Sequence, residues 1–334
     1  MFQKNIPLRS LNTFGIDATA KQFSEVTSLE MLKEIVSNHK DLFILSGGSN
    51  ILLTKDIDQP VVYLNTKGIE IVDKNSESVW VKAQAGENWH EFVCWCLENN
   101  FGGLENLSLI PGNVGTSPMQ NIGAYGIEIK DSFESLEALE ISSGKIQTFY
   151  MNDCAFGYRE SVFKNTLKGQ YIIVNVTFRL TVKDHVINDH YGAIREQLKI
   201  AKVVDPGIHD ISNAVIAIRK SKLPDPKEIG NSGSFFKNPV ISAAHFLKLQ
   251  TEYPEIPHYK LSDEQIKVPA GWLVEKSGFK GKRFGDAGVH EKQALVLVNY
   301  NNARGNEILS LAKTIQKTVA EEFEIDLEME VNIV

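Results

Sequence analysis

The sequence has few cysteines and no long apolar run. Its 334 residues include only Cys94, Cys96 and Cys154. Three cysteines are too few, and odd in number, for a disulfide framework, which favours a reducing compartment. No apolar run reaches the roughly 18 residues of a membrane helix, and the first 15 residues lack a signal-peptide pattern. We therefore expect a cytoplasmic protein that does not span a membrane.

Excess positive charge and metal-binding motifs are absent as well. The net charge is −7 and the pI is about 5.7, which argues against nucleic-acid binding as the main role. The eight histidines are scattered, without a His-Glu-x-x-His or Cys-x-x-Cys motif, so we expect no metal site. Neither the dinucleotide motif G-x-G-x-x-G nor a P-loop occurs, which disfavours the usual nucleotide-binding folds.

Hydrophobic periodicity predicts alternating helices and strands in the first part of the chain. Thr27 and Glu30 are spaced as a capping box before a helix that should end near His39. Apolar runs at 42–45, 51–53 and 61–64 follow and are typical of strands. Together these segments predict a small α/β layer.

The middle and last parts predict further elements. Alternation at 79–85 and 172–180 indicates half-buried strands, and between them Trp89, Phe92, Val93, Cys96 and Leu97 recur at helical spacing, which places Cys96 in the core. Another helix, with one face formed by residues 211, 214, 215 and 218, stops before Leu223-Pro224. A last helix covers 308–323, and residues 327–334 resemble a strand.

Two loops are rich in glycine and small polar residues. The turn Ser46–Asn50 contains paired glycines whose backbone N–H groups could converge on an anion, although a plain strand-to-strand turn would look the same. Residues 110–126 carry four glycines and no charge, and such a long connection is usually functional. This loop could offer backbone and neutral donors to a large polar ligand.

Two shorter clusters, Phe156–Ser161 and Gly230–Pro239, are also candidates for a site. The second presents one hydroxyl, Ser234, beside two aromatic residues. A single serine is more often a helix cap or a solvated residue than a catalytic group.

Six motifs in this order resemble the UDP-N-acetylenolpyruvoylglucosamine reductase family, and the resemblance runs from Asn12 to Glu330. The motifs are Ser46–Asn50, Ile110–Gly126, Gly157–Arg159, Lys222–Pro226, Gly233–Phe236 and Leu327–Val331. The resemblance implies an α+β fold, with an FAD-binding fold of the vanillyl-alcohol-oxidase (PCMH) type and a third, α/β substrate-binding domain. It implies flavin-binding subdomains at 1–66 and 67–204 and a substrate domain at 205–324, with a C-terminal strand, 325–334, that returns to the first subdomain.

The resemblance also implies an activity: reduction of the enolpyruvyl group of a UDP-sugar by NADPH, through FAD. The implied FAD-binding residues are Gly47, Gly48, Ser49, Asn50, Ile110, Thr116, Ser117, Ile122, Gly123 and Ile173. Relatives that bind flavin covalently commonly have a histidine after the paired glycines. Because this chain has Ser49 there, we expect non-covalent FAD.

The same resemblance implies three catalytic residues. Arg159 would bind the substrate carboxylate, Ser234 would protonate C2 after hydride reaches C3, and Glu330 would lie near the carboxylate. The implied substrate-binding residues are Tyr158, Tyr191, Lys222, Asn238, Tyr259, Lys280 and Gln293. The segment 253–259 is similar to the tyrosine-bearing insertion of the type I enzymes. The family implies a monomer without an obligate protein partner.

One departure from the family pattern and two alternative functions remain open. A basic residue is expected shortly after Glu330, where this chain has Val331 and Asn332. An alcohol or sugar oxidase of the same flavin fold would need a base where Ser234 offers an acid. A flavin-free protein that binds nucleotide sugars would be colourless.

Overall fold

The structure is a computed structural model that describes residues 2–334. Over these residues it has eight α-helices: α1 Leu29–Asn38, α2 Trp89–Glu98, α3 Met151–Cys154, α4 Gly192–Ile200, α5 Ile208–Lys222, α6 Ala243–Glu252, α7 Ala270–Lys276 and α8 Gly305–Phe323. Short 3₁₀ turns lie at Arg9–Leu11, Glu105–Leu107, Val114–Gln120 and Ile129–Asp131.

Strands alternate with these helices. In chain order they are β1 Gln3–Pro7, β2 Thr19–Val26, β3 Phe43–Leu45, β4 Ile51–Leu52, β5 Val61–Leu64, β6 Ile69–Lys74, β7 Ser78–Gln84, β8 Gly123–Ala124, β9 Ile127–Glu128, β10 Phe133–Glu140, β11 Ile146–Tyr150, β12 Tyr171–Thr181, β13 Gly230–Ser234, β14 Val240–Ser242, β15 Tyr259–Lys260, β16 Gln265–Lys267, β17 Arg283–Phe284, β18 Ala287–Val289, β19 Val296–Asn299 and β20 Asn332–Ile333.

Helix α1 begins one residue later than the predicted capping box requires. Its cap is Ser28, whose hydroxyl accepts a hydrogen bond from the Met31 amide at 3.2 Å. The prediction of Thr27 as the cap is wrong because Ser28 has the extended backbone that aims a hydroxyl at the first turn. The helix does end at Asn38, with His39 as its C-cap, as predicted.

The chain divides into two compact units. The first contains the described residues up to Ile6 together with Ala20–Gly47 and Ile57–Ser221. It holds a four-stranded sheet in the order β1-β2-β5-β3, with β5 parallel to both β2 and β3, and a five-stranded antiparallel sheet in the order β11-β10-β12-β7-β6.

Strand β12 is buried on both faces, so the prediction of a half-buried strand is wrong. Val176 and Phe178 pack in one core with α2, including Trp89 and Cys96, and the predicted core position of Cys96 is confirmed. On the other face Ile172 and Val174 pack with the apolar side of α1. A strand covered on both faces shows a nearly continuous apolar run rather than a clean alternation.

The second unit contains Pro7–Thr19, Gly48–Asp56 and Lys222–Val334. Its main sheet has the order β13-β19-β18-β17, and a smaller one has the order β14-β16-β15. The predicted C-terminal strand is much shorter than 327–334. Only β20 forms a ladder, in parallel with β4, since that partner strand has just two residues.

The three-part domain division implied by the family stays a prediction. Most of α5, up to Ser221, belongs to the first of the two units. Over residues 2–334, no helix is both long and apolar enough to cross a membrane.

Candidate functional site

The first glycine of the Ser46–Asn50 turn lies against the long glycine-rich loop. A Cβ atom on Gly47 would stand 2.7 Å from the Cα of Gly112, so the two backbones can approach this closely only with glycine. The hydroxyl of Ser46 beside it is buried and has no hydrogen-bond partner. A buried polar atom without a partner indicates a missing ligand or water.

The glycine-rich loop folds into a 3₁₀ turn followed by a short strand, β8. Ser117 donates its hydroxyl to the Val114 carbonyl and Thr116 donates to the Asn113 carbonyl, both at 2.7 Å. The two hydroxyl groups therefore fix the shape of the loop. Ile110 and Ile122 pack against the core that contains Ile173, so three of the predicted FAD contacts belong to one packed region.

A tight turn presents the predicted catalytic arginine next to this loop. Tyr158 and Arg159 occupy the tip of a turn closed by two hydrogen bonds between Gly157 and Glu160. The Arg159 guanidinium donates to the carbonyl of Gly123 at 2.8 Å. The backbone of Arg159 is left-handed, with φ of +57°, a strained conformation that is common at functional sites.

Two tyrosines lie beside the same loop. Tyr191, just before α4, is 44% exposed and its ring meets that of Tyr125 edge to face at 5.3 Å. Both line a cavity of 240 Å³. Burial raises the pKa of Tyr125, and the charge of Arg219 opposes this shift. The sequence interpretation missed Tyr125, although it is the one aromatic residue of the uncharged stretch 110–126.

In the second unit, Gly48 of the Ser46–Asn50 turn packs against residues 11–13. A Cβ atom on Gly48 would lie 2.1 Å from the carbonyl oxygen of Leu11, and its φ is +58°. The Thr13 amide donates to the Gly48 carbonyl at 3.0 Å, and the Thr13 hydroxyl is 3.2 Å from that of Ser232. The left-handed φ of Gly48 and the close approach of Leu11 both require glycine at this position.

The structure brings the segments of Ser234 and Glu330 together within the second unit. Ser234 ends β13 with its side chain exposed. The next residue, Phe235, accepts a backbone hydrogen bond from Glu330 at 2.8 Å. The side-chain amide of Asn50 donates to the Glu330 carbonyl at 3.3 Å. A small hydrogen-bond network therefore joins Glu330 to Asn50 and to the residue that follows Ser234.

Asn332, at the departure from the family pattern, has a defined place in this network. Its side-chain amide donates to the Asn50 carbonyl at 2.9 Å, and its backbone amide donates to the same oxygen at 3.1 Å. The sequence interpretation treated Asn332 only as a missing basic residue. The structure assigns it to holding the turn that contains Ser49 and Asn50.

Five of the predicted substrate-binding residues form no hydrogen bonds with one another in the described residues 2–334. Asn238 accepts from the Ala270 amide at 2.9 Å, Lys280 pairs with Glu275 at 2.8 Å, and Gln293 accepts from the Leu295 amide at 3.3 Å. Lys222 ends α5 and is exposed, and Tyr259 is 53% exposed.

The residues at Gly47 and in the glycine-rich loop fit a large polar ligand such as FAD. The two backbones approach closely at Gly47, the stretch 110–126 has no charged side chain, and the Ser46 hydroxyl lacks a partner. Glycine-rich turns of this kind bring backbone N–H groups to phosphate groups. In contrast, no group of three or more His, Cys, Asp or Glu side chains in residues 2–334 could hold a metal ion.

Two protein families match the chain. The FAD-binding domain family matches residues 21–150, and the C-terminal domain of UDP-N-acetylenolpyruvoylglucosamine reductase matches 225–334. Among curated proteins, the reductase of that name from Flavobacterium johnsoniae is 57% identical over 99% of both chains. The one from Amoebophilus asiaticus is 52% identical, also over 99% of both.

A solved structure has the same fold. The crystal structure of UDP-N-acetylenolpyruvylglucosamine reductase from Thermus caldophilus aligns with a TM-score of 0.71 and 23% identity, over 100% of this chain and 99% of that one. Together with the FAD-binding domain match and the mixed helix and strand content, this confirms the predicted α+β flavin-binding fold. The chain belongs to the UDP-N-acetylenolpyruvoylglucosamine reductase family.

Proposed function

We propose that this protein reduces the enolpyruvyl group of UDP-N-acetylglucosamine enolpyruvate to UDP-N-acetylmuramate, a step in peptidoglycan precursor synthesis. The observation that carries the proposal is its full-length similarity to reductases of this name. When bound, FAD supplies the transfer of a hydride from NADPH to C3 of the enolpyruvyl group. The residues of this chain bind, orient and protonate the substrate.

Two loops are proposed to hold FAD without a covalent bond. Gly47, Gly48, Ser49 and Asn50 would contact its pyrophosphate, where close backbone approach requires the glycines. The remaining contacts would come from Ile110, Thr116, Ser117, Ile122, Gly123 and Ile173. Ser49 has a hydroxyl where a covalent flavin link would need a histidine, so the flavin should be released by denaturation.

Arg159 is proposed to bind the substrate carboxylate. As hydride reaches C3, negative charge develops on C2 and spreads into that carboxylate, and a planar guanidinium can contact both of its oxygens. One Arg159 nitrogen already donates to Gly123, which fixes the side chain before substrate arrives. Such preorganisation is what makes charge stabilisation effective.

Ser234 is proposed to donate the proton that C2 receives. The reaction then balances: C3 gains a hydride, C2 gains the serine proton, and the serine oxygen takes a proton back from solvent. A hydroxyl is a weak acid, but an enolate carbon is a strong base. Glu330 would assist at the substrate carboxylate in its protonated form, and its backbone bond to Phe235 supports a position beside Ser234.

The UDP-sugar is proposed to be held by Tyr158, Tyr191, Lys222, Asn238, Tyr259, Lys280 and Gln293. Lys222 and Tyr259 would contact the diphosphate, which suits an exposed cation at the end of a helix and an exposed phenol. We further propose that the enzyme is a cytoplasmic monomer. Its three cysteines are all free thiols, which supports a reducing compartment.

Anaerobic half-reactions test the function. The purified protein should be yellow, its flavin absorbance should bleach with NADPH, and addition of UDP-N-acetylglucosamine enolpyruvate should restore it. Rapid reoxidation by air, with no effect of the UDP-sugar, would instead identify an oxidase of the same fold. A colourless protein that cannot be reconstituted with FAD would contradict both enzymes.

A further inference from the structure

Arg219, on α5, holds the start of the glycine-rich loop. Its Nε atom donates to the carbonyl of Leu109 at 3.1 Å, just before the loop begins. Burial raises the pKa of the phenol of Tyr125, near the end of the loop, and the charge of this guanidinium opposes that rise. A guanidinium carries five N–H donors, so the bond to Leu109 leaves donors for a further acceptor.

No carboxylate balances this charge. In the described chain, 2–334, Arg219 forms no ion pair with an acidic side chain. Burial lowers its pKa, and the nearby charge of Arg159 lowers it further, whereas the phenol of Tyr125 acts in the opposite direction. A partly buried cation without an acidic partner is unfavourable unless an anion joins it.

The residues around Arg219 have strained backbones. Leu109, its hydrogen-bond partner, has φ of +60°. Tyr125 and Arg159, which both affect the pKa of Arg219, have φ of +52° and +57°. Residues with side chains rarely adopt this left-handed region, and those that do cluster at ligand sites. His90 also holds Leu109 in place, because its Nδ1 accepts from the Leu109 amide at 3.0 Å.

We propose that Arg219 is a second anion-binding guanidinium of the active site, which contacts an oxyanion of a bound ligand beside Arg159. The inference rests on the proposed function, since the ligand is one of that reaction's two anionic molecules. The oxyanion belongs either to the UDP-sugar, through its carboxylate or diphosphate, or to NADPH, through its phosphates. Its arrival relieves the repulsion between the two guanidinium groups.

Binding titrations with molecules that do not turn over test this proposal. The FAD-loaded, oxidised enzyme is titrated calorimetrically with UDP-N-acetylmuramate and, separately, with NADP⁺ at several salt concentrations. Arg219→Met should raise the Kd of one of them at least tenfold and reduce its salt dependence, because one charge contact is lost. The molecule affected identifies the source of the oxyanion.

Two further variants separate charge from shape. Lys220→Met removes the neighbouring exposed charge on α5 and should change both Kd values less than twofold. Arg219→Lys keeps the charge, so it should retain the salt dependence and most of the affinity even if Arg219→Met fails to fold. The proposal is overturned if Arg219→Met leaves both Kd values unchanged, if it weakens binding with an unaltered salt dependence, or if Arg219→Lys loses the salt dependence.

The outcome is separate from that of the proposed function. If wild-type reduced flavin is not reoxidised by the enolpyruvyl sugar, the function fails on that measurement alone. The two Kd series then still show whether Arg219 binds an anion.

Discussion

The guanidinium of Arg159 donates to the carbonyl oxygen of Gly123 over 2.8 Å. This bond ties the tip of the Gly157–Glu160 turn to the glycine-rich loop, so the proposed carboxylate-binding group and part of the proposed flavin site form one rigid piece. A second tie reinforces it, because Asn121 donates its side-chain amide to the Gly157 carbonyl at 3.1 Å. The position of Arg159 is therefore set before any ligand binds.

Replacement of Arg159 by lysine should separate the two half-reactions. Lysine keeps the charge but loses the planar fork that can hold Gly123 and a carboxylate together. We expect Arg159→Lys to slow reoxidation of the flavin by the enolpyruvyl sugar about 10²-fold, with little change in reduction by NADPH. Stopped-flow absorbance measures both rates. Arg283→Lys, which alters a surface ion pair with Asp286, is the control, and equal losses in both half-reactions would make Arg159 structural.

Replacement of Ser234 should affect only the second half-reaction. Ser234→Ala should bind FAD and be reduced by NADPH at a near-normal rate, but its reoxidation by substrate should fall about 10²–10⁴-fold. Ser234→Cys retains a transferable proton and should recover part of that rate. Ser310→Ala, an exposed serine on α8, should behave as wild type. If Ser234→Ala is reoxidised at the wild-type rate, the proton donor is another group, with Glu330 as the next candidate.

Lys222 and Tyr259 should contribute to substrate affinity rather than to chemistry. Lys222→Met and Tyr259→Phe should raise the KM for the UDP-sugar while flavin reduction by NADPH stays near normal. This result is expected for residues that stabilise the bound substrate and the transition state equally. Steady-state kinetics at saturating NADPH measures this effect. Matched controls are Lys248→Met and Tyr150→Phe, at an exposed lysine of α6 and an exposed tyrosine of β11. An unchanged KM in both test variants would remove these residues from the site.

Asn332 should stabilise the turn that contains Asn50. Asn332→Ala loses the 2.9 Å bond to the Asn50 carbonyl, which on this exposed side chain should cost about 0.5 kcal/mol of unfolding free energy. It should also raise the Kd for FAD, which fluorescence recovery during apoenzyme titration would measure. Asn306→Ala loses a comparable exposed bond to Thr54 and is the control. The same Kd in both variants would show that Asn332 does not support the flavin turn.

Local patterns in the sequence correctly predicted the helices and strands that bury only one face. In α2, helical spacing correctly predicted the buried side, which is formed by Trp89, Phe92, Val93, Cys96 and Leu97. Where two faces are covered, as in β12, alternation could not report the burial. The cap of α1 was displaced by one residue, because Thr27 and Ser28 are both chemically suitable and only the structure shows that the Ser28 hydroxyl accepts from the Met31 amide.

The order of the motifs determined by itself the family, the fold class and the list of candidate residues, because each motif is a short contiguous run of residues that can be recognised without the structure. Only the tertiary structure decided which side chains meet. The bonds of Arg159 to Gly123, Arg219 to Leu109 and Asn332 to Asn50 join residues 36, 110 and 282 positions apart. No local periodicity links such distant positions. Their contacts depend on how the sheets and loops pack, since a polar group removed from water needs a partner from whichever segment lies beside it.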